Sequence, residues 1–299
     1  MECIVSFEHQ ANQLSGSLYL PDSLTSSTVI IMLQGSGASN RHNDTFFPPI
    51  RQFFLNLGIA VYSYDKPGVG QSTGNWQQQS FEDRAHEALA AVDKMTQIIK
   101  TDGLKVGLFG HSQGGWIVFL TASMSDKIDF IISNSGPSIS PTKQDEYGLI
   151  QLNQNRGESE ETIQIAVNLY NQLVDAAYHD QNFTVVQDLI GQHKNSAWDH
   201  YFSFDKNAWK FFKKIFDYDP IPALKGTQCH ALILLAEADL LVPVAECESI
   251  FRDNLDSSIS HLHTFPDANH RMKVGPHNHF APDYFEVLRS WLLKLNLTK

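Results

Sequence analysis

A serine flanked by glycines, where a buried strand hands over to a helix, is placed to act as a nucleophile, and Ser112 sits in such a setting. The run VGLFGHSQGGWIVFL puts Gly110, Ser112 and Gly114 between an apolar stretch and a helix-compatible one. The pentapeptide alone is weak evidence. With Gly and Ser each near ~7% of residues, three fixed positions match by chance in about one chain in ten of this length. The setting adds weight, because a strand-to-helix elbow turns so sharply that bulky neighbours clash, and glycines remove those side chains. Ser112 then projects above the sheet. The following helix aims backbone N–H groups and its positive dipole end at the serine, with the Gln113 amide the predicted first donor to an oxyanion. His111, held within the elbow, is directed away from the hydroxyl and is expected to pack or hydrogen-bond rather than to act as a base.

A serine hydroxyl needs a base to take its proton, and the base needs a carboxylate to hold its tautomer. Where the serine lies on such an elbow, carboxylate and imidazole follow in that order, each just past a later strand. ALILLAEADLLVP puts Asp239 beyond an apolar strand, and HLHTFPDANH puts His270 in the loop after the next one. Glu237 competes with Asp239 but directly follows the strand, one side-chain alternation earlier. His261 and His263 alternate along a strand and are expected to be structural. His277 and His279 lack a carboxylate or thiol cluster at metal-ligand spacing, so no metal is expected. For the second oxyanion donor, Gly35 and Gly37 in MLQGSGASNRHND let the chain bend its amides inward, which points to the Ser36 amide. The same run is compatible with an ordinary Gly-Ser loop. As a phosphate nest it lacks the P-loop lysine and the spacing of a dinucleotide fingerprint.

These residues need a scaffold. Short, wholly apolar runs at Val29–Leu33, Ile59–Asp65, Val106–Gly110, Phe130–Ser133 and Ala231–Ala236 predict central strands covered on both faces. Helical patterns at Phe46–Leu57, Phe81–Ile99, Gly114–Met124 and Asp283–Leu295 alternate with them, and His261–Phe265 adds a strand. Alternation of this kind predicts an α/β fold, a mostly parallel sheet with helices on both faces and its site at the strands' carboxyl ends. Ile4–His9 and Leu14–Pro21 read as a leading hairpin with Asn12 and Gln13 at the turn. From residue 138 to 219 the strand rhythm stops. That segment, with the polar, helix-compatible Glu158–Asp180 and the aromatic-rich Ser196–Asp219, is predicted as an inserted helical cap on a core formed by 1–137 and 220–299.

Composition excludes several classes. With 22 Lys plus Arg against 33 Asp plus Glu, a formal charge of −11 and no basic run, nucleic acid is not an expected partner. No stretch of about 18 apolar residues occurs, and the amino terminus lacks a basic start followed by an apolar core, so a cytoplasmic protein with no membrane association is expected. Cys3, Cys229 and Cys247 have no CxxC spacing and are expected to be buried reduced thiols.

The stretches QGSGASNRHND, YSYDKPGVGQSTG, GHSQGGW, AEADLLVP and FPDANH resemble, in order and spacing, the α/β-hydrolase superfamily over nearly the whole chain. Within it the chain is similar to bacterial serine hydrolases of the dienelactone-hydrolase-like and acylaminoacyl-peptidase-like kind. By that resemblance Ser112, Asp239 and His270 match the triad, and Ser36 and Gln113 the oxyanion hole. Two departures stand out: Gln34-Gly35 where relatives often have His-Gly, and Lys66-Pro67 in place of a commoner Arg-Arg. Asp65 is expected to fix a loop. Sister enzymes that open epoxides or remove halides carry Asp at the elbow, and authentic dienelactone hydrolases carry Cys, so Ser112 implies acyl transfer to water. The expected activity is cleavage of a small-molecule carboxylic ester of short to medium acyl length, without a cofactor. The alternative is a peptidase or amidase using the same triad, which needs a cap carboxylate for the substrate amine, with Glu158, Glu160 and Glu161 as candidates by sign.

Overall fold

The computed structural model describes residues 1–22, 25–194, 196, 202 and 204–298. The chain runs β1 (Glu2–His9), β2 (Asn12–Tyr19), β3 (Thr28–Leu33), α1 (Phe47–Asn56), β4 (Ala60–Tyr64), a 3-10 turn (Trp76–Gln78), α2 (Phe81–Ile98), β5 (Lys105–His111), α3 (Gln113–Met124) and β6 (Phe130–Asn134). Helices α4 (Pro141–Asn155), α5 (Glu160–Tyr178), α6 (Phe183–Gly191), α7 (Lys206–Ile215) and α8 (Ile221–Gly226) precede β7 (His230–Ala236). The chain closes with α9 (Val244–Asn254), β8 (Ser260–Phe265), a small hairpin of β9 (Lys273–Val274) and β10 (His279–Phe280), and α10 (Tyr284–Lys294).

Eight strands form one sheet in the order β1-β2-β4-β3-β5-β6-β7-β8. From β4 to β8 every pairing is parallel, and β2 joins β4 antiparallel. All six residues of β3 and all five of β4 and of β6 are buried, as strands covered on both faces must be. Their side chains alternate between two cores. Val29, Ile31 and Leu33 face a cluster with α2, α3, α8 and α9, while Ile30 and Met32 face one with α1 and α10. Fully burying each such side chain stabilises the fold by about 1.5–3 kcal/mol. A third cluster lies within the helices between β6 and β7, where Leu169, Leu173, Val186, Trp209 and Phe212 pack together.

Order β4-β3-β5 makes β3/β5 the point where the winding reverses, leaving a crevice at their carboxyl ends. Leu33 pairs with Gly110, so the segments beginning at Gln34 and His111 emerge side by side into that crevice. His111 pairs in turn with Asn134, and Ala236 of β7 with Phe265 of β8, which brings the loops bearing Asp239 and His270 to the same edge.

The structure corrects two expectations. The leading hairpin turns at Gln10 and Ala11, with Gln10 at φ 51°, and Asn12 and Gln13 lie inside β2, paired with His9 and Glu8. A two-residue loop with a left-handed residue matches the strands' twist, which outweighs the turn preference of Asn. Of the thiols, only Cys247 is fully buried; Cys3, on edge strand β1, and Cys229 are half-buried, and all three are free. Trp198 and Tyr201 of the aromatic-rich segment lie outside the described residues. Phe202, Trp209, Phe212 and Phe216 pack within the third cluster, whereas Phe211 and Tyr218 pack against the core of the sheet. Among the described residues no helix is long and apolar enough to cross a membrane.

Candidate active site

Ser112 occupies a strained left-handed conformation, φ 54° and ψ −120°, between β5 and α3. Its turn is possible because of its neighbours. A β-carbon at Gly110 would lie 2.1 Å from the Gly114 carbonyl oxygen, and one at Gly114 would lie 2.4 Å from that of Leu33, both far inside contact distance. The Ser112 amide donates to the Asn134 carbonyl at 3.0 Å, and the Ser112 carbonyl accepts from the Gly115 amide at 2.7 Å. Carbonyl and amide of one trans peptide point in opposite directions, so this second bond turns the Gln113 N–H the other way.

Across the site, His270 Nδ1 is 2.7 Å from Asp239 Oδ2. The Asp239 side chain is 1% exposed and that of His270 17%, so the pair is shielded but the imidazole keeps an open edge. Asp239 Oδ1 is spoken for, accepting from the amides of Leu241 at 2.8 Å and Val242 at 3.2 Å. Glu237 instead accepts from the Asp267 amide, at 3.3 Å. The His270 loop is braced by Asn269, whose Oδ1 accepts from the amides of Arg271 and Lys273. Among the described residues the Ser112 hydroxyl makes no hydrogen bond to His270 comparable to that of Asp239, and the His111 ring lies 5.1 Å from that of His270.

His111 is buried against Phe46, with ring centroids 4.3 Å apart, and its Nδ1 lies 3.4 Å from Asn134 Nδ2, while the Tyr284 hydroxyl donates to Asn134 Oδ1 at 2.7 Å. Burial, with His270 and Arg271 adding, pushes His111 well below the ordinary histidine range, so it is a neutral imidazole. His263 is on β8 against Phe265, and His277 lies beside His279 at the β9–β10 hairpin. Among the described residues no three His, Cys, Asp or Glu side chains gather as a metal site.

Opposite the elbow, the loop after β3 runs past the serine: a β-carbon on Gly35 would sit 3.2 Å from that of Ser112. Ser36 is exposed at its tip. Beneath this loop lie buried charged groups that sequence reasoning did not connect with it. Lys66 Nζ donates to the carbonyls of Gly35 and Gly37, and Arg84 donates to the Gln34 carbonyl and to Gln113 Oε1. Glu87, buried on the same helix as Arg84, accepts from Gln79 Nε2.

The far end of the loop is tied down by Asp65. Arg41 reaches both carboxylate oxygens through its backbone amide and guanidinium, the shortest contact being 2.6 Å, and also donates to Ser15 and Ser17. Burial alone would raise the Asp65 carboxyl, but hydrogen bonds from Arg41 and Gln71 outweigh it and hold the group below the usual carboxylate range. Asp65→Ala leaves the Arg41 charge buried without its partner and is expected to cost about 3–5 kcal/mol, read as a lowered urea midpoint. A carboxyl with a depressed folded-state pKa contributes above its unfolded value near ~3.9 and loses that contribution as pH falls through the folded value. The gap between parent and variant should therefore close in acid.

The family model described as serine aminopeptidase, S33, matches residues 29–274. No curated protein matches the chain in sequence. Among solved structures, an esterase of Pyrococcus furiosus superposes with a TM-score of 0.68 at 15% identity, covering 98% of this chain and 91% of the other. Proline iminopeptidase of Mycobacterium smegmatis gives 0.66 at 14% identity, over 99% of both chains. Est1E of Butyrivibrio proteoclasticus, with ferulic acid bound, gives 0.63 at 17% identity over 98% of both. At such identities the likeness is one of fold, and the resemblance drawn from sequence holds at the level of the superfamily rather than of a dienelactone-hydrolase-like branch.

Proposed function

The chain belongs to the serine aminopeptidase S33 family of hydrolases, with the α/β-hydrolase fold, and on that premise we propose that it cleaves carboxylic esters through an acyl-enzyme on Ser112. One observation carries the reading: Asp239 and His270, from loops after successive strands, meet in a 2.7 Å hydrogen bond at the sheet edge where the elbow presents Ser112. In the proposed mechanism His270 takes the serine proton as Ser112 attacks the carbonyl, Asp239 stabilises the imidazolium, and the amides of Ser36 and Gln113 hold the oxyanion. Water then releases the acid by the reverse roles. The Ser112–His270 contact closes when substrate is in place, since catalytic hydrogen bonds are often long in an empty site.

In this reading residues 138–219 form a cap that shapes the acyl pocket. Its first helix is fixed to the acid's loop: the Tyr147 hydroxyl donates to the Asp239 carbonyl at 3.3 Å and Gln144 Nε2 to that of Leu241 at 2.9 Å. A cavity of about 240 Å³ opens there, lined by Leu149, Leu152, Tyr170, Phe202, Phe204 and Leu241 among others. Its apolar walls suit a short to medium acyl chain.

The peptidase alternative, which the family's description and the iminopeptidase likeness favour, gains one feature that sequence reasoning missed. Asp145, though exposed, lines the same cavity, whereas Glu158, Glu160 and Glu161 do not. A panel of p-nitrophenyl esters and aminoacyl anilides decides between them. The expected result is a kcat/KM at least about a hundredfold higher on the best ester, with an optimum at short to medium chain length. Preference for the anilides, abolished by Asp145→Asn, would reverse the assignment.

A further inference from the structure

We infer that Lys66 is a positioning residue for catalysis, whose side-chain nitrogen aims the oxyanion-hole amide of the Gly35–Gly37 loop by gripping the carbonyls on its reverse side. The inference rests on the serine-hydrolase reading above and extends it to a residue outside the triad.

The geometry runs through the peptide plane. A trans peptide holds its C=O and N–H antiparallel, so whatever fixes the carbonyl fixes the amide in the opposite direction. Lys66 Nζ donates to the Gly35 carbonyl at 2.5 Å, and the N–H of that same peptide belongs to Ser36. A second bond at 2.9 Å, to the Gly37 carbonyl, pins the peptide two steps further on. Arg84 does the corresponding work one peptide earlier, donating to the Gln34 carbonyl at 3.0 Å and so setting the Gly35 N–H. The carbonyls of Gln34, Gly35 and Gly37 thus face buried nitrogen donors, while that of Ser36 accepts from Ser39 Oγ at 3.1 Å, and the amides of Gly35 and Ser36 are turned from the donors.

Such support is needed at this place. Gly37 has φ 82°, and a loop with two glycines has more conformations to lose than any other. Without a partner the Gly35 carbonyl would be free to turn inward and present a partial negative charge where an oxyanion must form. Lys66 is 1% exposed, so its grip faces little competition from water. A donor on the carbonyl also polarises the peptide and strengthens the N–H opposite it as a donor. Arg84 ties the second half of the hole to the same network through Gln113 Oε1.

The test is Lys66→Met, which keeps the aliphatic stem and deletes the donors. On a p-nitrophenyl ester, kcat should fall about ten- to a hundredfold, less than the hundred- to thousandfold typical of losing a donor outright, with KM within about threefold. Affinity for an aliphatic trifluoromethyl ketone, which becomes an oxyanionic adduct on the serine, should fall in parallel with kcat, while that for the matching unreactive amide substrate analogue holds. Lys66→Arg, retaining nitrogen donors, should recover part of kcat. Parent-like kcat, or equal loss of affinity for both inhibitors, would overturn the inference, since a merely structural role weakens both alike. If Lys66→Met does not fold, Lys66→Gln is read by the same pair of inhibitors: selective loss on the trifluoromethyl ketone supports the inference and equal loss overturns it. Ester turnover that survives Ser112→Ala would defeat the underlying reading instead, so the two failures are separable.

Discussion

Ser112→Ala should lower turnover of the best p-nitrophenyl ester about a millionfold, leaving the residual rate that binding and the oxyanion hole alone provide, about 10³–10⁴ over water. The folded state should hardly notice. The strain of φ 54° falls on any residue with a β-carbon, so alanine inherits it unchanged, and the backbone bonds to Asn134 and Gly115 do not involve the side chain. Thermal melts of parent and variant should overlie within a few degrees. A fluorophosphonate probe should label the parent once per chain and the variant not at all. Survival of esterase activity in a folded, unlabelled variant would remove Ser112 from the mechanism.

Asp239→Asn should cost about 10⁴-fold in kcat with little change in KM, and the reason lies in how the carboxylate is held. Its Oδ1 is fixed by the Leu241 and Val242 amides, so an asparagine must place its carbonyl oxygen there and turn its NH₂ toward His270. The NH₂ is a donor facing Nδ1, 2.7 Å away in the parent, and forces the imidazole proton onto Nε2. That nitrogen then cannot accept from Ser112. Nitrogen-15 chemical shifts of His270 should report the tautomer directly: Nδ1–H in the parent, Nε2–H in the variant. A variant with the parent's tautomer and the parent's rate would show that Asp239 does not orient the base.

Much of this was legible along the chain, for physical reasons that can be named. Strands buried on both faces must be unbroken apolar runs, so Val29–Leu33, Val106–Gly110 and Ala231–Ala236 announced themselves, and the structure extends each by only a residue or so. The elbow was readable because clash leaves room for little besides glycine around Ser112. Alternation along β7 and the turn after it favoured Asp239 over Glu237, and in the structure Asp239 is the one bonded to His270.

What stayed hidden were short or polar elements and every relation across the crevice. Helix α9, with Cys247 and Phe251 as its buried residues, and the two-residue strands β9 and β10 carry too few apolar positions to show a period. The hairpin turn was misplaced by two residues because strand twist, a property of the pair, overrode the preference of Asn12. Lys66 and Arg84 were unreadable for a deeper reason. A lysine or arginine in a sequence is ordinarily a solvated charge, and nothing local says that its chain turns inward. That is decided only when β3 and β5 pair across the reversal of winding, bringing Gly35 against Ser112 and leaving the carbonyls behind it buried and in need of donors. The sequence by itself determined which residues can do chemistry and in what order they follow; only the tertiary structure decided which buried charges hold them, because an unsatisfied carbonyl exists only once the loop that carries it is packed.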